Sequence, residues 1–259
     1  MKVDSTITLV NGAKMPRLGL GVYQIPNGLA TYQAVIWAFK AGYRHVDTAA
    51  FYRNESSVGK AVRESEIPRE DIWVTTKLWP TDQLNPEKAF QTSLDNLGLD
   101  YFDLYLVHFP VPGLVTKTWK AMEAIYNSGR TKAIGISNFS VKQMEDVLKI
   151  ASIPPTVNQV RCSPYNFDKN LYDFCKENNI AFEAYSPLTQ GRRLNDPVLA
   201  EIAKKHKKST AQILIGWALQ KDMIVIPKSE QKNRIIENAD VFDFELSDND
   251  IKVLDSLSV

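Results

Sequence analysis

Short apolar runs alternate with amphipathic segments along the whole chain, and eight of these runs end near Val22, Thr48, Lys77, His108, Ser137, Val160, Tyr185 and Ile226. Runs such as Leu104–Val107, Ala133–Ile136 and Ile224–Ile226 are apolar throughout, the pattern of parallel strands covered on both faces. The segments between them carry helix punctuation. Asn85-Pro86-Glu87 sets a capping residue before a first-turn proline; Phe90, Leu94 and Leu97 then share a face, and Gly98 closes it. Ser140 and Gln143 read as a capping box ahead of Met144, Val147, Leu148 and Ala151. Ala34, Val35, Ala38 and Ala41 form another stripe, ended by Gly42. Two helices, near 196–206 and 210–221, precede the eighth strand.

Eight strand–helix units in 259 residues match a closed α/β barrel, which takes ~250 residues and leaves no sheet edge exposed. The expected fold is a (β/α)8 TIM barrel spanning 1–259 as one domain, because no linker or compositional shift divides the chain. Two pieces lie outside the repeat. Ile7–Met15 reads as a β-hairpin turning at Asn11-Gly12, expected to plug the N-terminal mouth of the barrel. Ser247 opens one extra C-terminal helix with Ile251, Leu254 and Leu257 on one side.

Composition narrows the function classes. Lys+Arg total 31 against 30 Asp+Glu, so no global field draws nucleic acid or an anionic membrane surface. No stretch approaches the ~18 apolar residues of a membrane span, and the N-terminus lacks the apolar core of a signal peptide. Cys162 and Cys175 are too few for a disulfide framework. A cytoplasmic enzyme acting as a monomer on a small molecule is the expectation.

Chemistry in such a barrel collects where the strands end. The second strand ends in Asp47-Thr48 with Tyr52 five residues on; the third ends in Lys77 and the fourth in His108. Alone, each has a plain explanation: a helix cap, a rim charge, a structural histidine. On successive strands ~4.8 Å apart, they can converge. Asp47 and Lys77 would pair, and the ammonium would lower the Tyr52 pKa from ~10 toward working pH, making it a general acid. A neutral His108 could donate a hydrogen bond to the same carbonyl oxygen. His45 stands beside Arg44, and His206 sits in a lysine-rich run that reads as a solvated helix end. Proton donation to a carbonyl needs a hydride source that no side chain supplies, which implies a nicotinamide cofactor.

The other half of the barrel offers a place for one. Ser137, Asn138 and Gln159 bring hydroxyl and amide groups, and Tyr185-Ser186 an aromatic ring and a hydroxyl. Lys228, Ser229 and Arg234 make a cationic pocket at a helix N-terminus, suited to a phosphate. No Gly-x-Gly-x-x-Gly follows a strand, and Gly19-Leu-Gly21 lacks the third glycine.

With these residues in view, the chain resembles the aldo-keto reductases. Gly42–Gly59, containing Asp47, Tyr52 and Glu55, is similar to the family's first signature; Lys132–Phe139 to the second; and Ile226–Ser229 with Arg234, Glu237 and Asn238 to the third. Leu78-Trp79 and Val157-Asn-Gln159 also fit. The resemblance implies reduction of aldehydes and ketones with NADPH. It makes Tyr52 the proton donor, tuned by Lys77 and Asp47, with His108 orienting the substrate. Ser137, Asn138 and Gln159 would hold the carboxamide, and Tyr185 would stack on the nicotinamide. Ser186, Leu188 and Gln190 would follow the pyrophosphate, and Lys228, Ser229 and Arg234 would take the 2′-phosphate, with Glu237 and Asn238 at the adenine.

The departures from the family pattern concern the substrate pocket. Tyr23 and Phe109 stand where many members carry tryptophan, and with Trp79 they are the expected pocket residues. The loop Phe109–Trp119 is short, and the chain ends at Val259 where many relatives continue, so an open, broad pocket is expected. Glu230 beside Lys228 weakens the case for NADPH over NADH without reversing it. Two other classes remain open at this point: a cofactor-binding module acting through a protein partner, and a barrel lyase or isomerase for phosphorylated substrates.

Overall fold

The structure, a computed structural model, describes residues 2–258. β1 (Thr6–Thr8) and β2 (Lys14–Pro16) form the antiparallel hairpin, in register Thr6↔Pro16 and Thr8↔Lys14. Its turn needs Gly12 at φ 86°. Leu9 and Met15 pack on Trp73, Leu104, Ala133, Val157 and Ile224, residues at or near the starts of barrel strands. The hairpin therefore closes the N-terminal end of the barrel, as expected.

The barrel strands follow in chain order: β3 (Leu20–Gly21), β4 (His45–Asp47), β5 (Trp73–Leu78), β6 (Leu104–Val107), β7 (Ile134–Ser137), β8 (Val157–Arg161), β9 (Ala181–Tyr185) and β10 (Ile224–Ile226). Each pairs in parallel with the next. Closure between the first and last runs through bridges Leu18↔Val225 and Gly21↔Lys228. Here glycine is required: a Cβ on Gly19 would lie 2.5 Å from His45 Nδ1, and one on Gly21 would lie 3.1 Å from the Ile226 carbonyl. The Gly-Leu-Gly run thus serves close approach of backbones at the seam.

The helices are α1 (Leu29–Lys40), α2 (Glu55–Arg63), α3 (Pro86–Leu97), α4 (Val115–Asn127), α5 (Val141–Leu148), α6 (Lys169–Glu177), α7 (Pro197–His206), α8 (Thr210–Gln220), α9 (Lys232–Ala239) and α10 (Asp248–Asp255). Both α7 and α8 fall between β9 and β10, as the sequence predicts. Capping boxes open α5 at Ser140, α8 at Ser209 and α10 at Ser247. Asn85 departs from expectation, because its side chain makes no capping bond. A 3₁₀ segment at Pro80–Leu84 runs directly into α3 and Asn85 N donates to the Asp82 carbonyl instead. Ala41 and Ala151 lie just past the ends of α1 and α5. No helix among the described residues is long and apolar enough to cross a membrane.

Candidate active site

Asp47 ends β4, Lys77 lies near the end of β5, and both are buried, at 2 % and 0 % exposure. Lys77 Nζ donates to Asp47 Oδ1 at 2.6 Å, Oδ2 at 2.7 Å and the Thr48 carbonyl at 2.8 Å, and it stands 3.4 Å from Tyr52 Oη. Tyr52 arrives on a 3₁₀ turn, Ala50–Tyr52, ended by Arg53 in the left-handed region at φ 57°. Asn54 locks that loop: Thr48 Oγ1 donates to its Oδ1, and its Nδ2 donates to the carbonyls of Val22 and Ile25. His108, directly after β6, packs edge-on to Tyr52 with ring centres 5.7 Å apart. The four residues expected to act together do meet.

The electrostatics correct one expectation. The net shift of Tyr52 is upward, not downward: burial first, and the Asp47 charge second, hold the phenol well above its ordinary value. The ammonium sits closer to the carboxylate than to the phenol, so its pull on Tyr52 does not outweigh burial. Tyr52 is therefore a neutral, proton-bearing group at rest. Burial pushes the Asp47 carboxyl up, against the pull of Lys77 and Gln159. Burial and then Lys77 push His108 down to about 2, so its ring is neutral. His108 Nδ1 is buried without a partner, which leaves Nε2 as the nitrogen open to the cleft.

One elongated cleft of about 900 Å³ runs over these groups to α9, and every residue singled out above as catalytic, cofactor-binding or pocket-forming lines it except Lys77, which lies beneath. On its far half Ser137 Oγ donates to the Gln159 carbonyl at 2.8 Å and Asn138 Nδ2 to the His108 carbonyl at 3.0 Å. Tyr185 Oη donates to Asn138 Oδ1 at 2.9 Å. Ser186 and Gln190 both take positive φ, folding the loop after β9 over the cleft. Lys228 Nζ is 3.6 Å from Glu230, and Arg234, Glu237 and Asn238 project from α9.

An aromatic rim frames the near half. Tyr23 lies against Tyr52 at 4.9 Å, Phe109 stacks on His108 at 5.1 Å, and Trp79 meets His108 edge-on at 5.1 Å. Phe51, which motif reading passes over, stacks on Trp79 at 3.9 Å. Tyr23, Phe51 and Phe109 are 42, 46 and 38 % exposed, so this end is open. Arg161 at the end of β8 also lines the cleft, without an ion pair among the described residues. His45 and Glu183, both fully buried inside the barrel beneath the cleft and not lining it, are polar neighbours of the site that sequence reading missed. The signal was present: each lies two residues before an inward-facing site residue, Asp47 or Tyr185. His206 also differs from expectation, because it is bonded to Asp250 at 2.9 Å, not a solvated end.

A closed α/β barrel with a buried ionic cluster and an elongated cleft at the C-terminal ends of its strands defines an α/β-barrel enzyme. A model of the Aldo/keto reductase family matches residues 17–259. The chain is 48 % identical over 258 residues to the glyoxal reductase of Bacillus subtilis (strain 168), covering 99 % of this chain and 94 % of that protein. It is 40 % identical over 289 residues to the glycerol 2-dehydrogenase (NADP(+)) of Saccharomyces cerevisiae, covering 98 % and 92 %. Among solved structures it is similar to MGS-M4, an aldo-keto reductase enzyme from a Medee basin deep-sea metagenome library, with TM-score 0.95, 46 % identity and coverage of 98 % and 95 %. The chain belongs to the aldo/keto reductase family.

Proposed function

We propose that the protein reduces aldehydes and ketones to alcohols with NADPH, and that Tyr52 delivers the proton to the carbonyl oxygen. The observation that carries this reading is the pairing of a proton-bearing Tyr52 with a neutral His108 at the open end of the cleft, above the Lys77–Asp47 pair. The residues lining the rest of the cleft fit the cofactor. Asn138 and Gln159 offer amides to a carboxamide, the Tyr185 ring offers a stacking face, and Lys228 with Arg234 supplies positive charge for a phosphate. A relative named for NADP(+) supports the same choice.

NADPH, when bound, supplies the hydride that reduces the carbonyl carbon. The chain's own residues manage the oxygen. His108 Nε2–H donates a hydrogen bond to it and fixes its position. Tyr52 Oη gives up its proton as negative charge develops there. The phenolate left behind is stabilised by the Lys77 ammonium 3.4 Å away, and Asp47 holds that ammonium in place. The exposed aromatic rim fits a broad range of small dicarbonyls and aromatic aldehydes. The test is oxidation of NADPH by purified protein over a panel of such substrates. Turnover of several members is expected; cofactor binding without turnover of any would refute the reading.

A further inference from the structure

Beneath the cleft lies a buried carboxyl, Glu183, that the reaction as described does not use. Glu183 Oε2 accepts from Gln159 Nε2 at 2.9 Å, and the same nitrogen donates to Asp47 Oδ2 at 2.7 Å. Gln159 Nε2 carries two hydrogens, so both are engaged by carboxyl groups, and the amide oxygen is its remaining end. With the opposite orientation that oxygen would face Asp47, a repulsive contact. Glu183 Oε1 has no hydrogen-bond partner and stands 3.7 Å from His45 Nε2, which itself lies 3.2 Å from Thr75 Oγ1.

We propose that Glu183 is a positioning residue for the reaction: its buried carboxyl fixes the amide of Gln159 with the oxygen toward the cleft and ties that amide to Asp47 beneath Tyr52. The proposal rests on the carbonyl-reductase reading above and extends it to a buried residue that does not line the cleft.

The charges of the cluster define the form of Glu183 that does this. β4 presents His45 and Asp47, β5 presents Thr75 and Lys77, β8 presents Gln159, and β10 pairs its apolar Ile224 with Glu183. Lys77 directs its hydrogens to Asp47, Thr48 and Tyr52, leaving none for Glu183. Burial and then the Lys77 charge push His45 down to about 3, so it brings no positive charge. Burial and then Asp47 push Glu183 up to about 8. At neutral pH Glu183 is thus an uncharged acceptor. Its ionisation would place a second negative charge beside Gln159 and Asp47, tighten the hold of Tyr52 on its proton and slow reduction.

Two variants separate this from a merely structural role. Glu183→Gln keeps an acceptor of the same shape but cannot ionise; Glu183→Leu removes the acceptor. Steady-state reduction across pH 6–9 should show, for the natural protein, an alkaline fall of about three- to tenfold centred near the Glu183 transition. Glu183→Gln should keep activity at pH 7 within about twofold and lose that fall, while Glu183→Leu should weaken NADPH binding about tenfold through the unsatisfied Gln159 N–H. A readout independent of turnover is the infrared band of a protonated carboxyl at pH 7, present without cofactor and absent from Glu183→Gln. An unchanged alkaline fall in Glu183→Gln, or no such band in the natural protein, would overturn the proposal. Failure of the natural protein to reduce any carbonyl, with the band present, would count against the function reading alone.

Discussion

Replacing Lys77 with methionine is the most severe single test of the site's electrostatics. The substitution keeps the bulk of a fully buried side chain but deletes both ammonium contacts to Asp47 and the bond to the Thr48 carbonyl. Asp47 is then a buried carboxylate held only by Gln159. Breaking a buried ion pair from one side costs about 3–5 kcal/mol. The cost depends on pH with a definite sign. Without Lys77 the folded-state pKa of Asp47 rises further above its unfolded value of ~3.9, so the penalty is small below about pH 4, where the unfolded carboxyl becomes protonated as well, and grows as pH rises. Urea unfolding followed by circular dichroism should show a loss of about 3–5 kcal/mol at pH 7 that shrinks to about 1–2 kcal/mol near pH 4.5. Adding Asp47→Asn to Lys77→Met should restore about 2 kcal/mol at pH 7, because the orphaned charge is gone. A loss below about 1 kcal/mol at pH 7, or a double variant less stable than Lys77→Met, would refute the argument.

Three further outcomes follow from the same structure. Burial and the Lys77 charge hold His45 and His108 neutral, with pKa pushed down to about 3 and about 2, so only the unfolded chain binds their two protons as pH falls below ~6.5. Glu183 offsets one of them, because only the folded chain keeps its proton between ~4.5 and about 8; stability from these groups should fall by about 1.4 kcal/mol per unit near pH 5, and by about twice that in Glu183→Gln, as read by urea unfolding. Gly59→Ala should cost about 3 kcal/mol in the same assay, since the new Cβ would lie 1.8 Å from the Leu97 carbonyl and must part α2 from α3. Lys228→Ala should raise the NADPH Kd about tenfold and leave NADH nearly unchanged, whereas Glu230→Gln should tighten NADPH by releasing Lys228 from its 3.6 Å pair; fluorescence titration checks both.

What could be read before folding depended on how local the signal was. Uniformly apolar runs such as Leu104–Val107 announced parallel strands, and eight of them announced the barrel. Motif spacing brought Asp47, Tyr52, Lys77 and His108 together because each closes or follows a strand. The sign of the Tyr52 shift was not legible, since it turns first on how deeply the folded site buries the phenol and then on the Asp47 charge beside it. Asn85 kept the composition of a cap but lost the role to the 3₁₀ segment before it. His206 read as solvated because its partner, Asp250, lies forty-four residues away. Glu183 passed as one polar residue in a strand, and only closure of the barrel sets it against Gln159 and near His45.

The central claim is that Tyr52 carries the transferred proton, and Tyr52→Phe addresses it most directly. The variant removes one hydroxyl while leaving the aromatic contact with Tyr23 and the Lys77–Asp47 pair in place. Side-by-side measurement of kcat for carbonyl reduction and of the NADPH Kd should show kcat falling by at least about a hundredfold with the Kd within about twofold. A variant that retained near-normal kcat would contradict the account.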